Sequence, residues 1–394
     1  MKIKNICIIS YEYPYMDKMV YTFLEQLVNE FVDLGINCYV ITPQSITRGI
    51  IRRYKIKKRK YTRSTLNNNI VNVYSPFYLS FSNKKTIINN NKINLYFFKK
   101  AANRIFNKLS KKIKFDLIYA HFIFPAGIAA NEIGKKNNIP VFFAYGENTT
   151  YTIDYLGLDT TKKRLKGING VISVSNDNKK ILSKYDIIPE KNIKVFPNAI
   201  NKKEIYKKNK EEMRKKLGFN INDFIIIFVG RFVDVKGPDR LCQALNEIND
   251  DKIKAIFIGS GDMKFDYKNI IFKGEVDHKD LLDYLSASDI FVLPTTSEGC
   301  CNAIIEALAC GLPVISSSNS FNDDILNENC SLRIDSMNIG EIKENIMKLY
   351  KDEALRNRLS KGALVQSKKF DLEKRTKNII NFMEQKIKDN NSIN

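Results

Sequence analysis

Short apolar, β-branched runs alternate along the chain with longer stretches in which apolar residues recur three and four positions apart. The first half carries such runs at 6–10 (ICIIS), 38–42 (CYVIT), 116–122 (DLIYAHF), 141–145 (VFFAY), 170–175 (GVISVS) and 193–196 (IKVF). Runs this short and this continuously apolar predict strands buried on both faces, and the period-3.6 stretches between them predict helices that cover those faces. One such helix is predicted over 19–34, where Phe23, Leu24, Leu27, Val28, Phe31 and Val32 share a face and Gly35 ends the run. Residues 44–92 are an insertion rich in Asn, Lys and Ser, with a strand predicted near 70–74. A Lys-, Glu- and Asn-rich break at 199–222 is followed by a second series, 224–229 (FIIIFV), 253–258 (IKAIFI), 270–272 (IIF), 289–293 (DIFVL) and 313–316 (PVIS). Past residue 337 the pattern is helical, ending in a helix predicted from about Asp371 to Lys388. The alternation predicts an α/β protein with parallel sheets, divided into domains at 1–200 and 201–370. No Pro/Gly linker separates the halves, so the two sheets are expected to face each other across a cleft.

Length supports that division, because 394 residues suffice for two separate cores. Hydrophobic residues make up 44% and charged residues 27%, and no apolar run approaches the ~18–20 residues of a membrane-spanning helix. The N-terminal apolar run is too short for a signal peptide, so a cytoplasmic protein is expected. Seven scattered cysteines form no CxxC pair and read as reduced thiols, and two histidines, His121 and His278, exclude a multi-histidine zinc centre. His278 follows Asp277 at a predicted helix start and is expected to be solvated. The charge is lopsided: residues 1–200 hold 33 Lys and Arg against 13 Asp and Glu, whereas the remainder hold 31 against 30. Dense clusters at Arg52 to Lys60, Lys99-Lys100, Lys111 to Lys114 and Lys162 to Arg164 suit an anionic membrane surface, a polyanionic substrate or plain solubility, and nothing beyond charge points to nucleic acid.

Two segments carry candidate chemistry. The first, Gly230-Arg231-Phe232-Val233-Asp234-Val235-Lys236-Gly237-Pro238, joins FIIIFV to a helix with Pro238 in its first turn. Such a loop, at the carboxyl end of a parallel strand, is where open α/β sheets bind anions, and Arg231 with Lys236 adds the two cations that a diphosphate needs. The second follows DIFVLP: Glu298 and Gly299 lie in the loop, Cys300, Cys301, Asn302 and Ala303 lead into a helix, Glu306 falls in its second turn, and Gly311 ends it.

The spacing Glu298-x7-Glu306 with Gly299, Ala307, Gly311 and Pro313, together with the Gly230-Arg231…Lys236-Gly237 loop, resembles the group-1 retaining glycosyltransferases of family four. Ile258-Gly259-Ser260-Gly261-Asp262 is similar to that family's glycine-rich segment, and Lys273-Gly274-Glu275-Val276 to its nucleobase-side loop. In the first half, Ala120 to Gly127, Val174-Ser175 and Phe196-Pro197-Asn198 resemble the landmarks of its acceptor domain.

The resemblance implies the GT-B fold, two Rossmann-like domains facing across a cleft, the first taking the acceptor and the second the nucleotide-sugar, with a helix at about 371–390 packing back on the first. It implies that Arg231 and Lys236 neutralise the diphosphate, that Glu298 holds the transferred sugar and Glu306 the ribose, and that Gly230, Gly259, Val276 and the amides from Gly299 to Ala303 line the donor. It implies hexosyl or N-acetylhexosaminyl transfer from a UDP-sugar, with retention and without metal or other cofactor, to a lipid-linked or polysaccharide acceptor of a cell-surface glycan. A GT-B epimerase and a non-catalytic scaffold are the alternatives. On the acceptor or sugar side stand His121 and Tyr145. In Tyr145-Gly146-Glu147-Asn148 the tyrosine replaces the family's usual histidine, and the loop from Tyr11 to Val20 lacks the family's glycine pair.

Overall fold

In the computed structural model, residues 2–16, 20–47, 56–81, 90–147 and 151–391 are described, and the basic residues Arg52 to Lys55 lie outside them. The chain divides into two units, Met1–Phe196 with Glu373–Asn394, and Pro197–Leu372.

The first unit runs β1 (Asn5–Ile9), α1 (Thr22–Asp33), β2 (Asn37–Ile41), β3 (Lys60–Ser64), β4 (Ile70–Tyr74), α2 (Asn90–Ser110), β5 (Leu117–His121), α3 (Ile128–Asn137), β6 (Val141–Tyr145), α4 (Tyr151–Leu156), α5 (Leu158–Leu165), β7 (Gly170–Ser173), α6 (Asn176–Lys184) and β8 (Ile193–Val195). Its sheet has the order β8-β7-β6-β5-β1-β2-β4-β3, parallel except between β3 and β4. The strands predicted as continuous apolar runs are the central ones and the edge strand β8, with β5 and β6 buried at every position. The sequence pattern missed β3, because KYTRS is an edge strand whose residues alternate between exposed and half-buried.

The second unit runs α7 (Lys210–Leu217), β9 (Phe224–Val229), α8 (Pro238–Ile248), β10 (Ile253–Ile258), β11 (Ile270–Gly274), α9 (His278–Ala287), β12 (Ile290–Leu293), α10 (Asn302–Ala309), β13 (Val314–Ser317), β14 (Ser331–Ile334), α11 (Ile339–Lys351) and α12 (Glu353–Ser367). Six parallel strands lie in the order β11-β10-β9-β12-β13-β14. From β9 the chain winds to β10 and β11 on one side, then returns to place β12, β13 and β14 on the other. The reversal falls between β9 and β12, and in an open α/β sheet that switch point, at the carboxyl ends of the strands, is the crevice where ligands bind. In the first unit the same reversal separates β1 from β5.

The last helix, α13 (Leu372–Asn391), belongs to the first unit. Its Ile379, Phe382, Met383 and Ile387 are buried with Ile3, Ile6, Leu117 and Phe142 of the sheet, and Glu384 accepts the Ile3 amide at 2.9 Å. No helix among the described residues is long and apolar enough to cross a membrane.

Candidate active site

Both motif segments emerge at the switch point of the second unit. After β9 the backbone amide of Gly230 donates to Ile258 at 2.9 Å, and Phe232 turns inward against Phe265, its ring centroid 5.0 Å away. That buried ring anchors the loop and leaves Arg231 exposed; among the described residues Arg231 has no ion pair. The chain then makes a 3-10 turn over Asp234–Lys236 and enters α8 through Gly237, whose φ of 70° is left-handed. A Cβ there would stand 2.6 Å from the Pro294 carbonyl oxygen, so glycine lets the two motif loops approach each other.

Three sets of bonds weld those loops together. The buried guanidinium of Arg240 donates to the Asp234 carboxylate at 2.9 Å and to the carbonyls of Asp234 and Pro294 at 2.7 and 3.0 Å. Thr295 Oγ1 donates to the Val235 carbonyl at 3.0 Å, and the Thr296 amide donates to the same carbonyl at 2.9 Å. Lys236 Nζ donates to Glu298 Oε1, the two side chains being only 14% and 10% exposed. The lysine expected to meet a diphosphate and the carboxylate expected to meet a sugar are thus held as a nearly buried ion pair.

Beyond Glu298, Gly299 is buried, Cys300 half-buried and Cys301 buried, and burial holds the Cys301 thiol far above the usual range. Asn198 secures this turn: its Nδ2 donates to the Cys300 carbonyl at 3.2 Å and to Asn302 Oδ1 at 2.8 Å. Asn198 lies in the second unit, where it holds the loop after Glu298, although the resemblance set it among the landmarks of the first domain. Cys301 caps α10 with no side-chain hydrogen bond and its first turn holds no acid, so the amides of Asn302 and Ala303 form an open, electropositive helix end. Gly237 caps α8 equally without a side chain. Two uncapped helix ends therefore flank the switch point.

One turn into α10, Glu306 is buried at 7% exposure, and its Oε1 lies 3.0 Å from His278 Nε2 at the start of α9. This corrects the expectation of a solvated His278: the imidazole is half-buried, and its hydrogen bond to Glu306, opposed by burial, raises its proton affinity. Its polar neighbours in sequence concealed the contact, because Glu306 is 28 positions away. Gly259 follows β10 with φ 144°, its amide donating to Gly274 at 2.9 Å, and Ser260 Oγ donates to Glu275 at 2.6 Å. Val276 packs half-buried against the core. Gly230, Arg231, Lys236, Gly259, Val276, Glu298, Gly299, Cys300, Cys301, Asn302, Ala303 and Glu306 therefore share the carboxyl edge of one sheet.

His121 and Tyr145 end β5 and β6 of the first unit. The His121 ring is buried among Tyr21, Phe23 and Phe122, its Nδ1 takes no hydrogen bond, and burial, aided by the charge of Arg375, lowers its pKa to about 3. Tyr145 is buried in the core, and burial raises its phenol well above the usual range. Glu147, which sequence reasoning passed over, accepts the Ile123 amide at 3.2 Å and the Thr152 hydroxyl at 3.0 Å, and burial raises its carboxyl pKa. It braces the turn after His121, where Phe122 holds a left-handed φ of 66°. Asn148 lies outside the described residues.

The sequence profile of "Glycosyltransferase Family 4" matches residues 20–204, and that of "Glycosyl transferases group 1" matches residues 209–366, the part that holds both motif loops. The chain is a group-1, family-four glycosyltransferase. A putative teichuronic acid biosynthesis glycosyltransferase, TuaC of Bacillus subtilis, is 29% identical over 306 residues, which cover 74% of this chain and 75% of the relative. A UDP-Gal:alpha-D-GlcNAc-diphosphoundecaprenol alpha-1,3-galactosyltransferase of Escherichia coli is 26% identical over 286 residues, 65% of this chain and 71% of that one. Among solved structures, Anabaena Alr3699/HepE in complex with UDP superposes with a TM-score of 0.74 at 15% identity, covering 97% of this chain and 100% of the other. The fold of this glycosyltransferase is GT-B, with a mainly parallel α/β sheet in each domain, and its Bacillus subtilis relative is named for teichuronic acid biosynthesis.

Proposed function

We propose that this glycosyltransferase moves a sugar from a UDP-sugar to a lipid-linked or polysaccharide acceptor, with retention of configuration and without a metal. The observation that carries the reading is the convergence of two cations and two uncapped helix ends on the switch point of the second unit. Charge develops on a departing nucleoside diphosphate, and preorganised donors aimed at developing charge usually supply the largest catalytic term. Exposed Arg231 would fork onto the diphosphate as it binds, and Lys236 would swing its charge from Glu298 towards the phosphates, freeing that carboxylate for the sugar hydroxyls. Glu306 would take the ribose. The UDP in the Anabaena structure and the UDP-sugar in the name of the Escherichia coli relative support the choice of nucleotide.

The first unit supports the choice of acceptor. Helix α2 carries Lys92, Lys99, Lys100, Arg104 and Lys108 and no carboxylate. Tyr96 on this helix and Phe81 beside it are exposed, and Asn94 clasps the chain at Phe81 by accepting its amide at 2.7 Å and donating to its carbonyl at 3.1 Å. Cations with aromatic rings at their edge suit the inner face of a membrane bearing lipid-linked intermediates.

The test is donor hydrolysis and transfer over a panel of UDP-, GDP- and ADP-linked sugars, hexoses, N-acetylhexosamines, 6-deoxy sugars and pentoses, on wild type and Tyr145→His, with and without chelator. Turnover of UDP-sugars in excess chelator is expected, with a preference away from UDP-glucose that Tyr145→His moves back towards it. A strict need for added magnesium, or no turnover of any UDP-sugar, would refute the reading.

A further inference from the structure

Glu306 Oε1 faces the His278 imidazole, while Oε2 takes no hydrogen bond from any described residue. We infer that His278 is a positioning residue for Glu306: its Nε2–H clamps Oε1 so that Oε2 is turned, already ordered, towards the vicinal hydroxyls of the donor's ribose. The inference rests on the proposed donor reading.

The contact is built by the fold. His278 opens α9 two residues after Val276, on the β11 side of the sheet, and Glu306 stands in the second turn of α10, beyond β12. A free glutamate side chain is rotamer-rich, and a ligand that must order it loses affinity for doing so. A hydrogen bond to a charged group, kept while the site is empty, removes that cost beforehand. The charged groups acting on the imidazole from other elements are Glu306 and Glu204, both acidic, and both favour its proton-bearing form. Sequence spacing does not show the pairing, since His278 sits between Asp277 and Lys279, which pair with each other at 3.5 Å.

The decisive measurement is calorimetric titration with UDP, GDP and ADP, the tightest then being compared with its 2′,3′-dideoxy analogue. Wild type, His278→Ala, His278→Gln and Glu306→Ala are titrated, each checked for an unchanged melting profile. Loss of a hydrogen bond to a charged group predicts roughly tenfold weaker binding of the ribonucleotide by His278→Ala. Rescue to within about threefold is expected for His278→Gln, which keeps an amide donor. The decisive arm is the dideoxy analogue, against which the His278→Ala penalty should vanish, because an effect exerted through Glu306 on ribose needs the hydroxyls. A penalty that persists with that analogue, or a His278→Ala protein that binds the ribonucleotide like wild type, overturns the positioning role while leaving the donor site intact if Glu306→Ala loses binding. Undiminished binding by Glu306→Ala, or no binding of any of the three nucleotides, overturns the ribose assignment and the inference with it.

Discussion

Arg231 and Lys236 bear the same charge on one loop and meet opposite surroundings. Arg231 is exposed and without an ion pair among the described residues, whereas Lys236 and Glu298 share a nearly buried pair. Truncating either cation is expected to cost roughly a hundred- to thousandfold in turnover, the scale for losing one preorganised donor to a developing charge. Their stabilities should part: Lys236→Ala abandons a buried carboxylate, at about 3–5 kcal/mol, while Arg231→Ala leaves the melting temperature unchanged. Turnover and thermal melts on the two variants check both halves. His121 offers a pH signature. In the unfolded chain it takes a proton below about pH 6.5, and in the fold only near 3, so the unfolded state binds more protons between those values. Stability is then complete above pH 6.5 and falls on acidification, by about 1.4 kcal/mol per pH unit, towards pH 3. Denaturant titrations from pH 7 to 4 should show that slope flattened in His121→Phe; an unchanged slope would assign the acid sensitivity to other groups.

At the scale of elements, Gly259 sets the junction between β10 and the loop after β9. A Cβ on it would stand 2.0 Å from the Gly230 carbonyl oxygen, at a backbone angle that side chains rarely adopt. Gly259→Ala is expected to cost at least ~1–3 kcal/mol in strain, lowering the melting temperature by several degrees, and to weaken nucleotide binding by displacing Gly230 beside Arg231. Melts with and without nucleotide measure both. The elements that positioned this site were legible in the sequence because FIIIFV and IKAIFI are buried at nearly every position, which leaves a parallel strand no place for polar residues. Edge strands leave a weaker trace: Ser331–Ile334 is half-buried at its two central positions and only four residues long, and it was not foreseen. The residues that lock the motif loops were illegible for another reason. Asn198 holds Cys300 across 102 positions and Arg240 holds Pro294 across 54, and no local pattern records a partner so distant. What the motifs did carry was the type and order of the groups at the switch point, since those depend on strand-loop-helix junctions that a local spacing encodes.

For the whole molecule, the uneven charge becomes a statement about where the protein works. If its first unit meets an anionic surface, vesicles containing anionic lipid should bind the protein, neutral vesicles should not, and added salt should release it. Replacing Lys100, Arg104 and Lys108 by Gln should weaken that binding by roughly fivefold per residue, at about 1 kcal/mol each, with donor hydrolysis unchanged. Equal binding to neutral and anionic vesicles in a cosedimentation assay would mean that the charge serves solubility alone. The path of the chain has a consequence in time as well as in space. One face of the first sheet is covered by α1 and α13 together, yet 176 residues of the second unit, Pro197 to Leu372, are joined before α13. Domains usually mature in the order of synthesis, but here the domain begun first must wait for the one begun second, with part of an apolar face still open to chaperones while the second unit is being made. A fragment ending at residue 196 should accordingly bind hydrophobic dye and precipitate, and a peptide spanning 373–391, supplied in trans, should restore it: the enzyme's birth order and its order of completion run in opposite directions.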